Sequence, residues 1–141
     1  MKDASIPAAD APSLDRLLGD LRALEALAEH WDDAARMLGD IAFRLEQAGA
    51  DFLMICTNTM HLVAPQVASR VSIPLVHIAE ATADQIQEVR LDKVAVLGTK
   101  CTMEKDFFKN ILINKGIDVI VPDQKGRDLV HDIIYNELVR G

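Results

Sequence analysis

The sequence predicts an α/β fold, a parallel sheet flanked by helices, and two observations carry that expectation. Four short apolar runs, Phe52–Cys56, Pro74–Ile78, Val94–Leu97 and Ile117–Val121, are each bounded by turn residues or charges, as strands are. Stretches of helical length at 60–70, 80–90, 103–114 and 126–139 follow them one by one, so strand and helix alternate. Alternation of this kind implies parallel strands joined by helical crossovers. Because such crossovers are right-handed, the carboxyl ends of all the strands collect on one edge, where functional residues are expected.

Ahead of the first strand the pattern differs. Residues 1–12, with Pro7 and Pro12 among Ala and Asp, show no apolar periodicity and read as a flexible tail. Leu14, Leu17, Leu18, Leu21, Leu24 and Leu27 recur at helical spacing behind a possible cap at Ser13, which predicts an amphipathic helix. A second helix is expected from Asp32 or Asp33 to Gln47. Its inner face would be Ala35, Leu38, Ile41, Ala42 and Leu45, and Gly49 would stop it. Residues 13–141 therefore read as a single α/β unit.

Composition narrows the function. At 141 residues, half of them hydrophobic, the chain can bury a core of its own. A net charge of −7 and the absence of a basic cluster interleaved with aromatics exclude a nucleic-acid surface. No run of about 18 apolar residues offers a membrane span. Two cysteines 45 positions apart, with no cleavable signal ahead of them, suggest free thiols in a cytoplasmic protein.

The chemistry is expected at two strand ends. Phe52-Leu53-Met54-Ile55 runs into Cys56-Thr57-Asn58-Thr59-Met60-His61, which places a thiol and small polar side chains at the head of a helix. Helix N–H groups there would favour both a thiolate and a bound carboxylate, with Asn58 and Thr59 as added donors. The plain alternative is that Cys56 is a small buried hydrophobe. His61 either orients the thiolate or meets the substrate, or else it packs or caps. At the second strand end, Leu97-Gly98-Thr99-Lys100-Cys101-Thr102, the hydroxyls of Thr99 and Thr102 and the close approach allowed by Gly98 make a second oxyanion pocket. Thr102 is also expected to cap the helix that follows. Cys101 reads as incidental, and His30 and His131 as surface residues. A Cys56/His61/His77 spacing fits no zinc pattern, so no metal is assigned. Nor is there a phosphate-binding loop, a dinucleotide fingerprint or a serine-hydrolase elbow.

These motifs together resemble the aspartate/glutamate racemase family. The resemblance rests on Gly49 through His61, on Ile73-Pro74-Leu75-Val76-His77-Ile78-Ala79-Glu80-Ala81-Thr82, on Leu97-Gly98-Thr99 with Thr102 through Phe107, and on Ile134-Tyr135-Asn136-Glu137-Leu138. It implies racemisation of an acidic amino acid without a cofactor, one cysteine thiolate removing the α-proton and a second thiol delivering one to the opposite face. On that resemblance Cys56 is the first catalytic cysteine, and Asn58, Thr59, Thr99 and Thr102 contact substrate. A homodimer is implied as well. The family's glycine-rich opening strand does not stand in residues 1–23, and its second Gly-Cys-Thr-Glu motif does not occur before Gly141. The chain thus resembles a member lacking both ends, covering the later part of the first racemase domain and the start of the second. Two alternatives stay open, an inactive remnant that binds acidic amino acids or dicarboxylates, and a structural or oligomerisation domain.

Overall fold

The computed structural model describes residues 30–139. The expected tail at 1–12 and the helix behind Ser13 lie outside the described residues. Helix α1 (Trp31–Gln47) is followed by β1 (Leu53–Met54), a 3₁₀ turn (Thr59–Val63), α2 (Ala64–Ala68) and β2 (Leu75–Val76). Then come α3 (Ile78–Glu88), β3 (Lys93–Ala95), α4 (Lys100–Glu104), α5 (Asp106–Asn114), β4 (Asp118–Ile120), α6 (Gln124–Ile133) and a π-helical turn, Ile134–Leu138.

Strand and helix alternate as the sequence predicts, and among the described residues the strands form two parallel pairs flanked by helices. Strand β1 pairs with β2 in parallel, Leu53 opposite Leu75 and Met54 opposite Val76. Strand β3 pairs with β4, also in parallel, Val94 opposite Val119. The two pairs share no ladder. They meet through helices instead, α5 packing against the Thr59–Val63 turn and α3 against α5. The strands are also shorter than their apolar runs. Leu53 is buried while Met54, Val76, Leu97 and Ile120 are exposed, so among the described residues helices cover one face of each pair.

Among the described residues two clusters form the core. Ala35, Ala42, Leu53, Val63 and Val67 join α1 to the first pair, with Trp31, Leu38 and Leu75 against them. Ala79, Ala83, Val96, Phe108, Leu112 and Ile117 join α3 and α5 to the second. Helix α1 is held at its far end by Glu46, whose carboxylate accepts the Ser72 amide (2.8 Å), the Ser72 hydroxyl and the Ile73 amide (3.2 Å) just before β2. The Ser72 hydroxyl and amide hold that carboxyl below its usual range. Nearby, Arg70 pairs with Asp40.

Local chemistry explains the remaining departures. The helix expected over 60–70 begins as 3₁₀ because Pro65 has no N–H to give the His61 carbonyl; Ala64 donates to that carbonyl three residues back instead. The helix expected over 103–114 is broken at Lys105, whose backbone is extended (φ −78°, ψ 158°). The Glu104 carbonyl at the break accepts from Lys109 Nζ at 3.2 Å, and the Glu104 carboxylate is held by Arg127 at 3.1 Å.

Helices α1, α3 and α5 all end in the same double bond. Gly49 donates to Glu46 and Ala50 to Leu45; Gly116 donates to Ile113 and Ile117 to Leu112; Arg90 donates to Gln87 and Leu91 to Ile86. The closing residue is left-handed each time, at φ 93° for Gly49, 81° for Gly116 and 58° for Arg90. Only Arg90 carries a side chain against that conformation. Arg90→Gly will therefore raise stability by about 1 kcal/mol, read as a higher urea midpoint, the relief of the strained Cβ outweighing the added freedom of the unfolded chain.

Candidate active site around Cys56

The turn after β1 is built by its own polar atoms. Cys56 is exposed, two residues past the strand. Thr57 then closes the turn twice, its Oγ1 accepting the Met60 amide at 3.2 Å and its carbonyl lying 2.7 Å from His61 Nδ1. Asn58 occupies the cap position of the 3₁₀ turn, its carbonyl accepting the His61 amide at 3.0 Å and its side chain making no cap bond. Asn58 and Thr59 are half-buried beside the exposed thiol.

His61 is buried, 1% exposed, and its far nitrogen Nε2 accepts the Ile78 amide of α3 at 3.2 Å. Both nitrogens are thus occupied by backbone. His77 caps α3, its Nδ1 accepting the Ala79 amide at 3.2 Å, and its ring lies edge-on to His61 with centroids 4.4 Å apart. Burial, and then the neighbouring His61, push the His77 imidazole below the usual histidine value, with Glu80 opposing.

The lowered His77 value makes stability depend on pH. The unfolded chain takes up the His77 proton first as pH falls, so this residue's stabilising effect is complete above about pH 6.5 and is lost as pH falls through the lower folded value. Protonation also removes the acceptor that caps α3. Urea midpoints measured from pH 7.5 to 5 will decline, and His77→Asn, which caps without titrating, will flatten that decline.

The second predicted site, after β3, is more enclosed. Thr99, not Thr102, is the cap residue of α4, and its carbonyl accepts the Met103 amide at 3.0 Å. Thr102 lies inside the helix, 2% exposed, its hydroxyl 3.4 Å from that of Thr99. The expected capping role of Thr102 is therefore corrected: the break at Lys105 makes α4 a separate short helix that starts three residues earlier. A side chain at Gly98 would sit 3.1 Å from the Thr102 Cβ, so the close approach expected of this glycine is made to Thr102. Cys101 is half-buried, and burial pushes its thiol up.

His131, expected at the surface, is half-buried and accepts the Lys100 amide at 3.3 Å, with Tyr135 against its ring. Lys100 itself pairs with Asp128 at 2.6 Å. The closing role of Thr57 and the capping role of His77 were not anticipated from the sequence, and His131, expected at the surface, is instead half-buried and bonded to Lys100. For Thr57 a signal existed, a threonine three residues ahead of a turn amide; for His131 none did, since its partner lies 31 residues away.

The hydrogen bonds gather the predicted residues into two groups, Cys56 to His61 with His77, and Thr99 and Thr102 with Lys100 and His131. Each stands behind the first strand of a parallel pair. Among the described residues no three His, Cys, Asp or Glu side chains are grouped to hold a metal ion, and no helix is long and apolar enough to cross a membrane.

The profile of the Asp/Glu/Hydantoin racemase family matches residues 6–140. The broad specificity amino-acid racemase RacX of Bacillus subtilis (strain 168) is 32% identical over 92 residues, 65% of this chain and 40% of RacX. Among solved structures, a Yersinia pestis protein described as an Asp/Glu racemase superposes with a TM-score of 0.79 at 44% identity, over 87% of this chain and 54% of that one. An aspartate racemase homologue from Pyrococcus horikoshii OT3 gives 0.73 at 38% identity, over 81% and 50%. The chain spans about half the length of these relatives. With the strand–turn–helix around Cys56 in place and nearly the whole sequence matched, the chain belongs to the Asp/Glu/hydantoin racemase family.

Proposed function

We propose that this chain takes part in racemising an acidic amino acid, aspartate or glutamate, with Cys56 as the base at the α-carbon and without a cofactor. The observation that supports it best is the exposed thiol of Cys56 on a turn fixed by Thr57 and His61 and flanked by Asn58 and Thr59. The thiolate takes the α-proton, becoming a thiol, while the electron pair moves into the substrate carboxylate as an enolate. Donors at Asn58, Thr59 and Thr99 hold the carboxylates; the buried Thr102 orients Thr99. This reading carries the expectations of a homodimer and a cytoplasmic location.

Inversion needs an acid on the other face, because a thiol that returns its own proton restores the starting enantiomer. One observation favours a second reading, a chain that binds acidic amino acids without inverting them. Cys101, the other thiol, is half-buried and sits in the second group of residues. Proton NMR of L-aspartate and L-glutamate in D₂O, with the enantiomer ratio read on the same sample, separates the two. Loss of the α-proton signal with inversion supports the racemase. Loss without inversion supports a half-reaction at Cys56, and no exchange alongside a measurable dissociation constant supports binding alone. RacX has broad specificity, so neutral amino acids belong in the same panel.

A further inference from the structure

We propose that His61 is a positioning residue, a neutral imidazole spliced between the Thr57 carbonyl and the Ile78 amide that sets the Cys56 turn against helix α3. The tautomer follows from the partners. A carbonyl only accepts, so Nδ1, 2.7 Å from the Thr57 oxygen, carries the proton. A backbone N–H only donates, so Nε2, 3.2 Å from the Ile78 nitrogen, is bare. A single ring thereby satisfies one orphan amide of α3 and one carbonyl of the catalytic turn, two groups 21 residues apart in sequence.

The placement has mechanical consequences. The body of α3 belongs to the second core cluster through Ala79 and Ala83, while the turn that carries Cys56 sits over the first, through Val63. His61 is the polar link between them. Among the described residues the titratable side chain in ring contact with it is His77, edge-on at 4.4 Å, and Glu80 on α3 acts on His77 in turn. With 1% exposure and both nitrogens filled by backbone, His61 acts on the thiol's position and not on the substrate.

The role of His61 in catalysis rests on the reading of Cys56 as the base, but its geometry does not, and the test separates them. On the intact chain, ¹⁵N–¹H correlation of the imidazoles should show His61 as the Nδ1–H tautomer; an Nε2–H ring overturns the proposal whatever the variants do. On a Cys101→Ser background, iodoacetamide alkylation then reports Cys56 alone. His61→Asn, which keeps a donor for the Thr57 carbonyl, should leave the alkylation rate within about twofold and speed exchange of the Ile78 amide. His61→Gln, which reaches Ile78 but loses Thr57, should change alkylation by about fivefold or more and speed exchange of the Met60 and His61 amides. Equal alkylation rates in folded Asn and Gln variants overturn the proposal. If Cys56 is not the base, α-proton exchange is absent from the intact chain while the tautomer and alkylation pattern persist.

Discussion

Cys56→Ser will leave the chain folded and lower α-proton exchange by about 10²- to 10⁴-fold, the range over which a positioned acid–base group contributes. The substitution changes one atom on an exposed side chain whose sulfur anchors none of the bonds that shape the turn. Those belong to Thr57, Asn58 and His61, so the urea midpoint should shift by less than about 0.5 kcal/mol. On the proposed reading, what is lost is the base. A serine hydroxyl ionises far above the range of any thiol, so oxygen cannot supply the anionic base that the proposed reaction needs. The paired measurement is exchange of the aspartate and glutamate α-protons in D₂O by native and variant chains at equal concentration. Native-like exchange by the serine variant would remove Cys56 from the chemistry and move the search to the Thr99 group.

The residues that the sequence marked most clearly were those whose chemistry is carried by side chains in a row. Cys56, Asn58 and Thr59 follow an apolar strand and precede a proline-started helix, and the structure puts them on the turn expected of them. The helix ending at Gln47 and its Gly49 stop were equally legible, since a left-handed glycine behind an apolar stripe is a local signal. What was not legible depends on backbone partners far away in the chain. Nothing in the sequence around His61 shows that its ring will meet the amide of Ile78, and nothing around His131 shows that it will meet that of Lys100. The left-handed Arg90 hides for the opposite reason: arginine gives no hint of a position that usually takes glycine. Which strands pair, β1 with β2 and β3 with β4 among the described residues, was beyond a pattern argument, because an apolar run records what a strand can bury and not which strand lies next to it.

Leu112→Ala will cost about 3 kcal/mol, within the range measured for buried leucines. Leu112 is 1% exposed, on α5, where it packs among Ala79, Ala83, Val96, Phe108 and Ile117. Two of those neighbours are alanines, too short to move into the space left behind, and Val96 and Ile117 are held by strand and helix-end hydrogen bonds at 2.9 and 3.0 Å. The site therefore collapses poorly and the cavity persists. Leu129 on α6 provides the contrast, since it is 61% exposed and its replacement by alanine should change stability by less than about 0.5 kcal/mol. Urea denaturation of both variants, with the slope compared as well as the midpoint, decides the matter: a Leu112→Ala midpoint that falls at constant slope places the loss in the folded core. Because α3 lies across Leu112 and its first turn is tied to the Cys56 turn through His61, the same variant should also expose the Ile78 amide to faster exchange, whereas Leu129→Ala should not. Unchanged Ile78 exchange beside a large loss of stability would mean that the two core clusters loosen independently, and that the tie at His61 holds without support from the packing beneath it.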